Sequence, residues 1–219
     1  MSIKNNLISD LFTLDCPLIS PIFDKLTYPF EVLDKISNYI TSNRELWLNN
    51  GFKEVKNGVF VHKDAYVSKL AIINAPSLIC KGAQVLEYSK LKKGVILGEN
   101  SIVGTFTEVK NSIFMQGAKA PHLNYVGDSV LGKFAHIGAG VKCSNLKSDG
   151  KNVKCFGIDT NRRKVGSFLG DYVEVGCNSV LAPGAVVGKE SVVYPLSLIR
   201  GYLPSKSIYK EKGVICPKY

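Results

Sequence analysis

Aliphatic residues recur at every sixth position through Val67, Ile73, Ile79, Val85, Leu91, Leu97, Val103, Val109 and Met115. Four residues after most of them comes a small or β-branched residue: Ala71, Ser77, Ala83, Ser89, Val95, Ser101 and Thr107. A helix would space its apolar residues by three and four, and a half-buried strand would alternate by two, so a period of six fits neither template alone. It fits short extended segments joined by turns, with two inward positions in each repeat. If three segments complete a coil, aliphatic side chains stack on their equivalents in the next coil, and the core is a column made by stacking. Turn-forming residues stand between the segments, as in Lys81-Gly82, Gly98-Glu99-Asn100, Gly170-Asp171, Gly176-Cys177-Asn178 and Pro183-Gly184. The pattern therefore predicts a mainly β chain built as a parallel β-helix from about Tyr66 to Pro204.

The repeat is not continuous. After Met115 it is expected to break over Pro121–Ser129, to resume at Leu131 and Ile137, and to break again over Asn145–Ser167. It then returns for Leu169, Val175, Leu181, Val187, Val193 and Ile199. The second break is polar and basic, and long excursions from a solenoid tend to carry function. Arg162, Arg163 and Lys164 within it either reach the phosphates of a ligand or form a solvated loop. Ahead of the repeat, Phe30, Val32, Leu33, Ile36 and Ile40 follow a helical spacing, with Pro29 suited to a first turn. The expected organisation is a helical cap over residues 1–60 that closes the open end of the solenoid, a β-helix over 61–205 with an excursion at 145–168, and a tail at 206–219.

Composition narrows the class of partner. Lys and Arg number 28 against 18 Asp and Glu, a formal charge of +10, which favours an anionic ligand such as a phosphorylated sugar, CoA or a nucleic acid. No RNP-like or zinc-finger signature supports a nucleic-acid partner. The first residues lack the apolar run of a signal peptide, and no segment approaches the ~20 apolar residues of a membrane helix, so a cytoplasmic protein with no membrane partner is expected. The six cysteines form no Cys-x-x-Cys pair, which predicts reduced thiols without disulfides or a structural zinc.

The runs LGENSIVGTFTEV, IGAGVK and VGCNSVLAPGAVVGKESVV resemble the hexapeptide-repeat acyltransferase superfamily, and this resemblance implies a left-handed winding. Within it, residues 104–145 carry Glu-x-Lys, then Lys-x-Pro-His-Leu-x-Tyr-x-Gly-Asp, then Ile-Gly-Ala-Gly. That order and spacing resemble the acetyltransferase domain of the bifunctional N-acetylglucosamine-1-phosphate uridylyltransferases, over about residues 80–205. No Gly-rich nucleotide loop opens the chain, so uridylyl transfer is not expected of it.

The resemblance implies a cytoplasmic, acetyl-CoA-dependent N-acetyltransferase acting on glucosamine-1-phosphate, galactosamine-1-phosphate or a similar amino-sugar phosphate for UDP-N-acetylhexosamine synthesis. It also implies a homotrimer, with acetyl-CoA held between neighbouring β-helices and no resident metal. An amine attacking a thioester must shed a proton, and an imidazole titrates in the right range to take it, so His122 is the candidate general base. Glu108 is its candidate partner, placed to orient the ring and stabilise the imidazolium. By resemblance Lys110 and Tyr125 hold the sugar phosphate, Lys92 stands where the family generally has arginine, and Asn145 contacts the sugar. Leu146 replaces an expected tyrosine, and His136 an expected asparagine, in the acceptor pocket. Ala139, Cys177 and Pro195 match positions lining the acetyl-CoA groove. Direct transfer needs no acyl-enzyme, so Cys177 is not expected to be a nucleophile. The substituted positions leave two alternatives open: an acyltransferase on another nucleotide sugar or a small amine or hydroxyl, and a non-catalytic trimeric module that binds a sugar phosphate.

Overall fold

A computed structural model describes residues 7–218; the first residues of the expected cap and the last of the expected tail lie outside them. Among the described residues the β-strands form three long sheets and one short hairpin. Sheet A runs through Phe52–Lys56, Val59–His62, Ser77–Ile79, Val95–Leu97, Ser112–Phe114, Val130–Leu131, Phe168–Leu169, Val186–Val187 and Tyr202–Leu203. Sheet B contains Tyr66–Val67, Gln84–Val85, Ile102–Thr105, Lys119–His122, His136–Ile137, Glu174–Val175, Val192–Val193, Ser207–Tyr209 and Ile215–Pro217. Sheet C contains Ile72–Ile73, Lys90–Leu91, Glu108–Lys110, Tyr125–Gly127, Lys142–Cys143, Val180–Leu181 and Leu198–Ile199. The chain visits the sheets in the order A, B, C; Phe52–Lys56 pairs antiparallel with Val59–His62, and after it each strand of the coils pairs in parallel with its equivalent one coil on. Parallel stacking starts at Val59–His62, which pairs with Ser77–Ile79, and extends to Ser207–Tyr209, which pairs with Val192–Val193. Ile215–Pro217 then folds back antiparallel on that last strand.

The inward column is the one expected through Val109: Ile79, Val85, Leu91, Leu97, Val103 and Val109 all belong to one buried core. Small residues turn the corners from inside. Ser89, for example, is fully buried and its hydroxyl donates to the Leu86 carbonyl at 2.6 Å. Beyond Val109 the sequence reading needs correction. The next inward residue is Phe114, not Met115, and the column continues through Ala120, Val126 and Leu131. The repeat does not break at Pro121–Ser129; it loses one residue at each of two successive C-to-A corners, where Asn111 and Asp128 take positive φ. Read in the old phase, this part of the chain looked irregular. The excursion after Asn145 is real: Lys154–Cys155 and Ile158–Asp159 form its antiparallel hairpin, and the column resumes at Leu169.

The amino-terminal segment contains α1 (Leu7–Leu11), 3-10 turns at Ser20–Phe23 and Pro29–Asp34, α2 (Ile36–Ser42) and α3 (Arg44–Asn49). It does not close an end of the solenoid, as the sequence suggested. It lies along the outer face of sheet A. That face presents Phe60, Leu78, Ile96, Ile113, Val130, Phe168 and Val186, which pack with Phe12, Phe23, Leu33, Ile36, Ile40 and Trp47 in a second buried cluster. Val153, Cys155 and Val165 of the excursion join the same cluster. The physical reason is area: outward apolar residues on coil after coil leave a long stripe whose burial, at roughly 25 cal/mol per Å², outweighs covering one coil end. Polar ties fix the segment along its length. The Thr13 amide donates to Asp171 Oδ2 at 2.8 Å, Asp15 pairs with Lys133, and Asp34 pairs with Arg162 of the excursion.

Candidate active site

The B-to-C corner is where strand Lys119–His122 turns towards Tyr125. Leu123 makes the turn with φ of 54°, and the buried Asn124 holds it. Asn124 Oδ1 accepts from the His122 amide at 3.1 Å, while its Nδ2 donates to the Gly138 carbonyl of the next coil at 2.7 Å. His122 is exposed at this corner, and among the described residues no side chain hydrogen-bonds its ring. Its imidazole is thus available to a ligand.

His122 stands in a column that continues from Thr105 of the preceding coil. Its carbonyl accepts from the Gly140 amide at 3.1 Å, the Ala139 carbonyl from the Asn178 amide at 2.8 Å, and the Cys177 carbonyl from the Leu196 amide at 3.0 Å. His122, Ala139, Cys177 and Pro195 therefore occupy the same corner in four successive coils. At the ~4.8 Å spacing of paired strands they span about 14 Å along the solenoid. Gly104, Gly138 and Gly176 let these corners stack closely, because a Cβ on them would run into Pro121, Cys177 and Pro195 respectively.

The second part of the site lies on sheet C, immediately past the corner. Glu108 sits directly beside Tyr125 in register, and Lys110 beside Gly127. Lys92 Nζ reaches Glu108 Oε1 at 3.1 Å with both side chains partly exposed. The Tyr125 hydroxyl donates to Asn145 Oδ1 at 3.4 Å, and the Asn145 amide nitrogen donates to Asp128. Burial raises the Tyr125 hydroxyl above the usual tyrosine range, against the lowering effect of its bond to Asn145, with Asp128 and Glu108 adding to the rise. Tyr125 is a neutral donor at physiological pH.

The structure thus brings Lys92, Glu108, Lys110, Tyr125 and Asn145 together on sheet C and aligns His122 with Ala139, Cys177 and Pro195 at its edge. It separates two expected pairings. The carboxylate of Glu108 is engaged by Lys92 and not by the ring of His122. His136 lies on sheet B, where its Nδ1 is 2.8 Å from Glu174 Oε2, on the other side of the corner from Tyr125 and Asn145. In the excursion, Arg162 is committed to Asp34, and Arg163 Nε donates to the Gly150 carbonyl at 2.9 Å. Arg163, Lys164 and Leu146 nonetheless border a cleft of about 620 Å³ beside Asp128. Three participants went unread in the sequence: Asn124, Asn111 and Asp128. The Gly-Asp that ends the His-Leu-x-Tyr-x-Gly-Asp run was the available signal for Asp128.

Residues 55–212 match the model described as the GMPPB C-terminal domain. The chain belongs to that family. It is 35% identical over 179 residues to the bifunctional sugar-1-phosphate nucleotidylyltransferase/acetyltransferase of Sulfurisphaera tokodaii, an alignment covering 78% of this chain and 44% of that protein. It is 38% identical over 128 residues to the bifunctional protein GlmU of Methanocaldococcus jannaschii, covering 56% of this chain and 31% of that one. The chain therefore spans less than half the length of these curated relatives. Among solved structures, the UDP-N-acetylglucosamine acyltransferase of Francisella novicida superposes with a TM-score of 0.51 at 14% identity, over 72% of this chain and 67% of that one. Family membership and this superposition bear out a β-helix of stacked parallel coils. No helix among the described residues is long and apolar enough to cross a membrane.

Proposed function

We propose that this chain is a cytoplasmic, acetyl-CoA-dependent N-acetyltransferase whose acceptor is an amino-sugar phosphate of the glucosamine-1-phosphate or galactosamine-1-phosphate kind. The observation that carries this reading is the junction of two features: an uncommitted His122 within a corner column that runs on through Ala139, Cys177 and Pro195, and a cationic, hydrogen-bonding cluster just past it on sheet C. The column suits an extended thioester arm laid along Pro195, Cys177 and Ala139 with its reactive end at His122. The cluster suits a phosphorylated sugar, with Lys110 and Lys92 meeting the phosphate and Asn145 and Tyr125 meeting the ring; the phosphate contact expected of Tyr125 is given up, because its hydroxyl proton is spent on Asn145.

In the reaction the acceptor nitrogen attacks the thioester carbon, a C–N bond forms and the C–S bond breaks. His122 takes the proton that the nitrogen loses and returns it to the departing CoA sulfur. Glu108 contributes through Lys92, holding that ammonium over sheet C. The column is an open surface on a single chain. A groove there gains its second wall from a neighbouring copy, and a closed three-fold ring satisfies every copy equally.

The test is release of free thiol from acetyl-CoA by the purified chain with glucosamine-1-phosphate and galactosamine-1-phosphate as acceptors. His122→Ala is expected to lower kcat by about 10²- to 10⁴-fold, the usual worth of a positioned general base, with an unchanged melting temperature because the ring is exposed. No release across a panel of amino-sugar phosphates would defeat the proposal.

A further inference from the structure

The two shortened corners place an unusual group at the floor of the sheet C cluster. Asp128 is 5% exposed, and no cation pairs with it among the described residues. Instead both of its carboxylate oxygens accept from side-chain amides: Asn111 Nδ2 donates to Oδ1 at 3.0 Å, and Asn145 Nδ2 donates to Oδ2. The positive φ of Asn111 and Asp128, at 45° and 49°, stacks these residues at equivalent corners, and the Asp128 amide donates to the Lys110 carbonyl at 2.8 Å. The backbone of the substrate-binding strand thus anchors the carboxylate as well.

Ionised carboxylates only accept, whereas an asparagine amide has a donating end and an accepting end of nearly equal shape. With Asp128 behind it, Asn145 has one satisfied orientation: nitrogen towards Asp128, oxygen towards the pocket. Reversal would set the amide oxygen against a buried carboxylate, leaving two acceptors face to face. The Tyr125 hydroxyl is bound by the same logic. It donates to the outward-facing Asn145 oxygen, which leaves its own lone pairs for the ligand. Gly127 keeps the space open, since a Cβ there would lie 2.6 Å from Asn145 Nδ2 and 2.7 Å from the Tyr125 oxygen.

We propose that Asp128 is a positioning residue that sets the hydrogen-bond polarity of the acceptor pocket, so that Asn145 and Tyr125 present oxygen acceptors and the pocket selects a ligand bearing a hydroxyl or amine donor there. The effect on catalysis rests on the acetyltransferase reading, but the amide orientation does not. Asp128→Asn keeps the shape and removes the obligation. The KM for the amino-sugar phosphate rises about tenfold, the KM for acetyl-CoA stays the same, and acceptors lacking a hydroxyl at the contacted position lose less than those carrying it. Asn145→Asp sets two carboxylates together and loses more. The exchanged pair Asp128→Asn/Asn145→Asp restores one donor facing one acceptor, with a carboxylate oxygen left for Tyr125, and recovers most of the acceptor KM.

A purely structural role for Asp128 predicts instead that both KM values shift together and that the exchanged pair is no better than the singles; either result overturns the proposal. The orientation has its own readout without substrate. In the ¹⁵N-labelled chain the Asn145 side-chain amide protons are shifted downfield by the carboxylate, and Asp128→Asn moves them back. Absence of that change overturns the inference even where acetyl transfer is robust, while a clear shift in a protein that acetylates no amino sugar separates failure of the functional reading from failure of this one.

Discussion

Sheets A and C are built on the same inward column yet have opposite outer faces. On sheet A the outward positions are Leu78, Ile96, Ile113, Val130, Phe168 and Val186, all buried. On sheet C, Lys90, Glu108, Tyr125 and Lys142 face outward at the corresponding coils. Every inward residue has to fill the same small triangle, so the inside is uniform. The outside answers to whatever lies against it: an apolar stripe on sheet A calls the amino-terminal segment and the excursion onto itself, and charged, hydrogen-bonding groups on sheet C leave a surface for a ligand. One scaffold therefore divides into a face committed to folding and a face free for chemistry.

The sharpest test of that division is a charge on each kind of face. Ile96→Asp buries an unpaired carboxylate under α2 and should cost more than about 4 kcal/mol, seen as loss of the folded protein in circular dichroism melts. Gln84→Asp, outward and exposed on sheet B, should stay within about 0.5 kcal/mol. Equal losses would end the distinction. Next, Trp47 is fully buried and its Nε1 donates to the Ile40 carbonyl at 2.7 Å. Trp47→Ala should cost about 3–5 kcal/mol in denaturant unfolding, in one cooperative transition if the segment folds as part of the solenoid.

On the ligand side, Gly127→Ala pushes apart the Tyr125 hydroxyl and the Asn145 amide. It should raise the acceptor KM by about tenfold, equivalent to about 1.4 kcal/mol, while the melting temperature moves little. The last test is alkaline and reads a slope, not a single loss. Burial pushes the thiols of Cys143, inside the column, and Cys155, under the covered face, up to about 12 from 9.0. Raised acids bind their protons more tightly when folded, so this stability is complete below about pH 9 and is lost as pH rises through about 12. Melts between pH 8 and 11 should fall progressively, and Cys155→Ala should flatten part of the slope.

Legibility followed the same line. The column from Ile79 to Val109 was read correctly because an inward position depends only on spacing. Ala120 and Val126 were missed because each corner at Asn111 and Asp128 drops one residue, and a fixed spacing cannot register that. Spacing and motif also gathered Lys92, Glu108, Lys110, Tyr125 and Asn145, which stand near one another in successive coils. They could not say that Glu108 turns to Lys92, that His136 turns to Glu174, or that Arg162 is taken by Asp34.

The sequence alone determined a stacked solenoid, because each coil meets only its neighbours and a local period decides such contacts; that His122 stands at a corner of a regular coil came from the structure, since the shortened corners at Asn111 and Asp128 hid the register around it. The tertiary structure decided which face the amino-terminal segment covers and which partner each polar side chain takes. Those outcomes depend on apolar area summed over many coils, and on donors and acceptors brought together from residues far apart in the chain.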